Sequence, residues 1–447
     1  PAYETRLSLV GSEMCIRDSG NDGRVAEVLA AALAASRAAG SDAANAKREK
    51  RAAVAAARAS DHAAKLVARL LALDARRAES LGASGSPGKP PRRGAALGAG
   101  DARDVVDCLR ALRALARAAP GAVAGAAATL APYLRADNGL EPRGEAEAVS
   151  LVAEILAAAA AVMSRADGAA LGRVASPDLR AVVLSLGTTP TSAALACLVA
   201  LERRGCRAAA KALWRLAASF FGARRKTARA FVVLGALAEQ WADGLAKGPP
   251  ADVEEPSALA AAKEPLRALH RALVAALEHD GDAPRDAKID AVCRAVSGRP
   301  PLASALARRG VLDAMLGVGP AAARAKALGS WARVLDGACA APDAPDAAAD
   351  ARALILAVEE GGDAAEDAFH AVAGATQGAL PRVHAALADA DGAVRVAALG
   401  LLGAVLRHGL CNPRDAVPRL LACLGDAAPR VRDRALQLLE LEDERRP

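Results

Sequence analysis

Two stretches near the C-terminal end of this 447-residue chain repeat each other without a gap. PRVHAALADADGAVRVAALGLL (381–402) aligns on PRLLACLGDAAPRVRDRALQLL (418–439) at a constant offset of 37 residues, with about half the positions identical. The shared positions include Pro381/Pro418, Leu387/Leu424, Asp389/Asp426, Val394/Val431, Arg395/Arg432, Ala398/Ala435 and Leu402/Leu439. A period of this size corresponds to one small supersecondary unit. Such a unit cannot bury its apolar face alone, so copies must stack on one another.

Each copy reads as a first helix, a turn carrying an aspartate, and a Val-Arg pair opening a second helix. This resembles the HEAT repeat, whose period is about 40 residues. The expected fold is therefore all-α, a HEAT-repeat solenoid. In such arrays an arginine at this place braces an aspartate between repeats. Asp389, Arg395, Asp426 and Arg432 are read as that structural signature, with each arginine near the aspartate of its own or the neighbouring repeat.

Composition points the same way. Aromatic residues are 2% of the chain, Ile occurs four times, and Ala, Leu and Arg dominate. Strand formers are thus scarce and helix formers abundant, which disfavours sandwiches, barrels and parallel sheets. Leu66, Val67, Leu70 and Leu73 follow the 3–4 spacing of one apolar helix face, as do Val105, Leu109, Leu112 and Leu115. Gly/Pro clusters interrupt the helices every ~15–35 residues, which suits antiparallel pairs. The organisation read from these signals has six parts. Residues 1–19 clash in composition with everything downstream and resemble translated adapter sequence, not part of the natural protein. Residues 20–80 begin the solenoid, 81–100 form a Ser/Gly/Pro/Arg loop, 101–340 are helical pairs, 341–350 a second loop, and 351–447 the terminal repeats. Both natural termini are expected to lie outside the sequence.

Several function classes find no support. The eight cysteines show no pair closer than nine residues, so no CxxC motif is present, and reduced structural thiols in an intracellular protein are expected. Residues 181–201 carry no charge over a length that could span a bilayer, but a Gly-Thr-Thr-Pro-Thr-Ser turn divides them. They are read, like 118–134, as a helix hairpin, and no membrane is expected. His270 and His279 lie near acidic residues without a nucleophile to complete a triad. No P-loop, dinucleotide fingerprint or HExxH occurs. The chain is expected to be no enzyme and to need no cofactor.

Charge is unevenly placed. Between Glu202 and Glu239 no acidic residue occurs, while that window holds nine cations, more than the +7 of the whole chain. Arg207, Lys211 and Arg215 recur at i, i+4 and i+8, one stripe of a helix. Arg224, Arg225 and Lys226 follow Gly222, and Arg229 comes shortly after. These seven are the candidate contacts to duplex DNA, made through phosphates and independent of sequence. The competing readings are a solvated face in an arginine-rich chain and contact with an acidic protein. Trp214, Phe220 and Phe221 fall on the apolar side and are expected in the core. Residues 47–51, Lys-Arg-Glu-Lys-Arg, resemble a nuclear localisation tract, with a solvated helix face as the alternative.

Gly409-Leu410-x-x-Pro413, three residues, then Val417-Pro418-x-Leu420 resembles the C-terminal region of the Nipped-B family, the large subunit of the cohesin loader. LAPYL (130–134), VAEIL (152–156), LWRLAASFFG (213–222) and FVVLGAL (231–237) resemble further family pieces in the same order. Residues 81–100 have no counterpart, the segment 350–367 is unusually Ala- and Gly-rich, and lysines common in the family are mostly missing. The resemblance implies a hook-shaped solenoid in the nucleus that helps load the cohesin ring onto chromatin. It implies binding to duplex DNA, SMC heads and kleisin, stimulation of the ring's ATPase, and a small loader subunit bound to an N-terminal part absent here. The alternative is a generic HEAT scaffold, such as a transport receptor or a phosphatase or assembly scaffold.

Overall fold

The computed structural model describes residues 42–83, 99–135, 142–185, 187–223, 227–250, 253, 257–278, 284–339 and 364–445. Residues 1–19, the loop core at 84–98, the second loop at 341–350 and Arg224–Lys226 lie outside them. The described residues form helices and short turns, with no strand. The chain divides into two compact units, Pro1–Leu213 and Trp214–Pro447.

The first unit holds α1 (Asp42–Ala83), α2 (Ala99–Ala118), α3 (Pro120–Ala124), α4 (Ala127–Leu130), a 3-10 turn (Ala131–Leu134), α5 (Pro142–Val162), α6 (Arg165–Ser185) and α7 (Thr188–Arg203). Helix α8 (Arg207–Gly222) begins in this unit and ends in the second. The second continues with α9 (Ala228–Gln240), α10 (Ala242–Lys247), α11 (Pro265–Glu278), α12 (Arg285–Gly298), α13 (Leu302–Arg308) and α14 (Val311–Gly317). It closes with α15 (Ala321–Cys339), α16 (Ala364–Ala386), α17 (Gly392–Arg407), α18 (Pro413–Cys423) and α19 (Pro429–Arg445).

Local chemistry sets the ends of these helices. The apolar positions of α2, Val105, Leu109, Leu112 and Leu115, are all buried, as the 3–4 spacing requires. Thr227 and Asp391 cap α9 and α17 by accepting from the Ala230 and Ala393 amides. Gly187 separates α6 from α7, so the uncharged stretch 181–201 is the end of one helix and the body of the next. Among the described residues, no helix is long and apolar enough to cross a membrane. The aligned prolines Pro381 and Pro418 sit inside α16 and α18, so the structural units begin upstream of them.

Packing follows a ladder. In the second unit α9 lies on α12, α12 on α15, α15 on α17 and α17 on α19. In the first, α2 packs on α5 and α5 on α7. Each helix meets its nearest counterparts along the chain, the quasi-one-dimensional pattern of a repeat protein. Small residues permit close approach. A Cβ on Gly235 of α9 would lie 2.6 Å from the Cα of Ala291 on α12. The larger side chains fill the remaining space: Trp331 of α15 is fully buried and donates its indole N–H to Thr376 Oγ1 of α16 at 3.0 Å.

Candidate functional site

The repeat signature forms an arginine–aspartate ladder. Arg395, in the first turn of α17, donates from Nε and Nη2 to the two carboxylate oxygens of Asp426 at 2.7 and 2.8 Å. Asp426 belongs to the turn of the following repeat. The remaining face of the guanidinium serves its own turn: Nη1 donates to the carbonyls of Asp389 and Ala390 at 2.7 and 3.0 Å. Asp426 also accepts the Ala428 amide at 2.7 Å, which opens α19. The Arg395 hydrogen bond and that amide hold the Asp426 carboxyl below its ordinary range.

One repeat earlier, the same device recurs with an arginine that the alignment does not single out. Arg324 Nη2 reaches both oxygens of Asp389 at 2.8 and 2.7 Å, and its Nη1 donates to the carbonyl of Gly319. Asp389 accepts the Asp391 amide at 2.9 Å, and that bond, with the Arg324 pair, keeps its carboxyl low. The pairing runs from each arginine to the aspartate of the next repeat. A further clamp between α12 and α15 precedes it: Asp290 accepts from Arg294, Ser330 and Arg333, with Lys326 Nζ at 3.5 Å. Burial pushes the Asp290 carboxyl up, but the surrounding cations hold it below the ordinary range.

The ladder is testable. Arg395→Ala and Asp426→Ala should each lower the melting temperature, and the double variant should lose less than the sum of the two. Additive losses would show that the pair is not coupled. A carboxyl whose folded pKa is depressed stabilises fully above its unfolded value and loses that contribution as the pH falls through the folded one. Melting temperatures should therefore fall more steeply below about pH 4 in the wild type than in Asp426→Asn.

The Gly409–Leu420 block is the joint between the two terminal repeats. Gly409 has φ +68, and its amide donates to Leu406 while the Leu410 amide donates to Val405. This is a Schellman closure of α17, which favours glycine at the left-handed position. Asn412 then caps α18 by accepting the Arg414 amide at 3.0 Å, and Pro413 occupies its first turn. Gln377, His384, Leu410, Cys411, Asp415 and Arg419 line an open groove beside this joint. The C-terminal end of α17 is held from α15 as well, since Arg407 and His408 both bind Asp336.

The basic window is only partly a surface. Arg207 is exposed at the start of α8, and so is Arg203 at the end of α7. Lys211, Arg215 and Arg229 are half-buried and already engaged, and burial lowers the pKa of the Arg229 guanidinium. Arg224, Arg225 and Lys226 lie outside the described residues. The i, i+4, i+8 stripe therefore exists along α8, but it tilts towards the protein after its first member. Arg204 is structural: its Nε donates to the Ala160 carbonyl near the end of α5 at 3.0 Å. Gly205, at φ +81, makes the tight turn between α7 and α8.

The aromatic expectation holds for one residue of three. Trp214 is buried and meets Trp241 edge to face at 6.5 Å. Phe220 and Phe221 are half-exposed, because the apolar side of α8 is only partly covered at its C-terminal end. His270 is buried, and burial, with the charge of Arg299, lowers its pKa to about 4, so the ring is neutral at physiological pH. His279 lies outside the described residues. Cys108, Cys197, Cys206, Cys293 and Cys423 are buried free thiols, and burial pushes Cys293 up to about 12. Among the described residues, no group of three or more His, Cys, Asp or Glu is placed to hold a metal.

Residues 373–447 match the family described as "Sister chromatid cohesion C-terminus", the Nipped-B C-terminal family. The match covers both terminal repeats, the Arg395–Asp426 pair and the Gly409–Leu420 joint. No curated protein matches the chain. A crystal structure of an engineered protein, a structural genomics target, is similar at 16% identity and a TM-score of 0.32, over 96% of each chain. That score is too low to support any conclusion about fold or function.

Proposed function

Residues 373–447 belong to the Nipped-B sister chromatid cohesion family, and from that premise we propose that the chain is part of the scaffold that loads the cohesin ring onto DNA. A role in sister chromatid cohesion, and with it a place in chromatin biology and cohesin-related partners, follows from the family itself. The finer reading is that the array binds SMC heads and kleisin, holds duplex DNA against them and stimulates the ring's ATPase without chemistry of its own. The observation that carries it is the family match over the terminal region, which includes the Arg395–Asp426 pair between repeats and the Gly409–Leu420 joint. A generic transport or phosphatase scaffold has no reason to carry both the Gly409–Leu420 block and the Trp214–Gly222 block in this order. The partners are best sought with the full chain against separately purified SMC heads and kleisin. Failure to capture either returns the protein to the generic class.

Arg203 and Arg207, the exposed cations that flank the turn at Gly205, are the proposed phosphate contacts. The half-buried Lys211 and Arg215 are poor choices for charge reversal, since their replacement would also disturb existing interactions. Each neutralised phosphate contributes about 0.9 to the slope of log K against log salt on B-DNA. Arg203→Gln with Arg207→Gln should therefore flatten that slope by about 2, and weaken binding to all duplexes alike. Thermal stability should hold, because exposed charges stabilise little. Fluorescence anisotropy at several salt concentrations measures both quantities. An unchanged slope would remove this surface from the DNA path.

A further inference from the structure

Helix α6 lies between α5 and α7 in the chain and carries apolar residues on two opposite sides. Its inner side, Leu171, Ala175, Leu179, Val182 and Val183, is buried, and the helix packs chiefly on α7. On the other side Ala170, Val174, Pro177, Ala181 and Leu184 are all exposed, Val174 by 56% and Leu184 by 45%. The intervals between these five are 4, 3, 4 and 3 residues, the heptad spacing that keeps side chains in one line along a helix. The line begins after Asp167, whose carboxylate is turned to the Ser164 hydroxyl at 2.7 Å. Three of its members are alanine or proline, so a second helix can approach closely, and Val174 and Leu184 stand out as knobs. Pro177 sits inside the helix and presents a flat apolar ring.

The flanks of the line are charged, and the charges are sorted. With Val174 and Ala181 at heptad position a, and Ala170, Pro177 and Leu184 at d, Arg173 and Arg180 take g. Asp178 and Ser185 take e on the opposite flank. Two parallel helices bring each g residue of one against the e residue of the other that lies five positions further on. Arg173 and Asp178 are five positions apart, so α6 complements itself in that orientation. An antiparallel pair would instead set the two arginine flanks against each other. We propose that this face pairs with the same face of a second copy of the chain, α6 beside α6 in parallel about a twofold axis. Each Arg173 then meets Asp178 of the other copy. Arg173 is exposed, and among the described residues nothing engages its guanidinium. Asp178 accepts from Arg135 Nε through Oδ2 at 3.2 Å, which leaves Oδ1 for the second cation. Two heptads make a small interface, so the dimer is weak and depends on concentration. The inference rests on neither the DNA reading nor the cohesin reading.

Sedimentation velocity of the full chain at increasing concentration should show a monomer–dimer equilibrium. Val174→Asp with Leu184→Asp should raise the dissociation constant by about tenfold or more, because central apolar anchors dominate such interfaces. Circular dichroism and the monomer's melting temperature should stay unchanged, since both side chains are exposed. Arg173→Asp alone and Asp178→Arg alone should each dimerise less than the wild type, whereas the two variants mixed should dimerise together. Orientation has its own readout. In a parallel pair position a faces its own copy, so Val174→Cys under mild oxidation should give a covalent dimer that the wild type does not form. A chain that stays monomeric at the highest concentration it tolerates would overturn the proposal. So would a dimer indifferent to the Val174/Leu184 variant, or the absence of the Val174→Cys cross-link. A fall in the monomer's melting temperature in the Val174/Leu184 variant would assign the face to a segment of the same chain, which overturns it equally.

Discussion

Replacing Trp331 by Ala should cost the second unit about 3–5 kcal/mol, the range for emptying a large, fully packed aromatic site. Trp331 is fully buried on α15, the helix that lies between α12 and α17 and also meets α16. Its removal opens a cavity where several helices meet. The indole N–H bond to Thr376 Oγ1 adds a smaller share, because the Thr376 hydroxyl keeps its own acceptor, the Val372 carbonyl at 2.7 Å. Trp331→Phe should therefore recover most of the loss, leaving about 1 kcal/mol for the missing hydrogen bond and the smaller ring. Urea unfolding followed by circular dichroism measures both. A loss below about 1 kcal/mol for Trp331→Ala would mean that the helices collapse into the space without penalty.

The second large effect has an unusual sign. An alanine in place of a helical glycine ordinarily stabilises by about 0.5–1 kcal/mol. At Gly298 the added Cβ would lie 2.3 Å from the Ala238 carbonyl oxygen and 2.6 Å from the Glu239 Cα. Both are backbone atoms of α9 and cannot rotate away. At Gly235 the obstacle is the Cα of Ala291, again backbone. Each replacement should destabilise by about 1–3 kcal/mol or more, and the two together should force α9 and α12 apart along their contact. Gly400, inside α17, is the control. A Cβ there meets nothing within 4 Å, so Gly400→Ala should stabilise. If all three substitutions shift stability the same way, close helix stacking is not what the glycines provide.

Much of the fold was legible because its causes are local. The 3–4 spacing of Val105, Leu109, Leu112 and Leu115 is the buried face of α2, and glycine at 187 divides an apolar stretch that could otherwise pass for a membrane span. The joint at Gly409, Asn412 and Pro413 reads directly as a left-handed C-cap, an N-cap and a first-turn proline, one after another. The candidate DNA stripe was legible only as spacing. Whether Lys211 and Arg215 face water depends on what packs beside α8, which no periodicity contains, and both are half-buried.

The ladder marks the boundary between the two kinds of information. The sequence by itself determined that Asp389, Arg395, Asp426 and Arg432 occupy equivalent places in stacked helical units. It could not determine which aspartate each arginine takes. Backbone carbonyls of its own turn occupy one face of Arg395, so its free fork points outward, to Asp426 of the next repeat rather than to the Asp389 carboxylate. Nor could it reveal Arg324. Arg395 and Asp426 are 31 residues apart, but Arg324 and Asp389 are separated by 65, so a fixed offset passes over the pair. Capping and helix periodicity depend on residues a few positions apart and are written along the chain. An ion pair between repeats depends on how far one helix pair is displaced against the next, and only tertiary packing sets that distance.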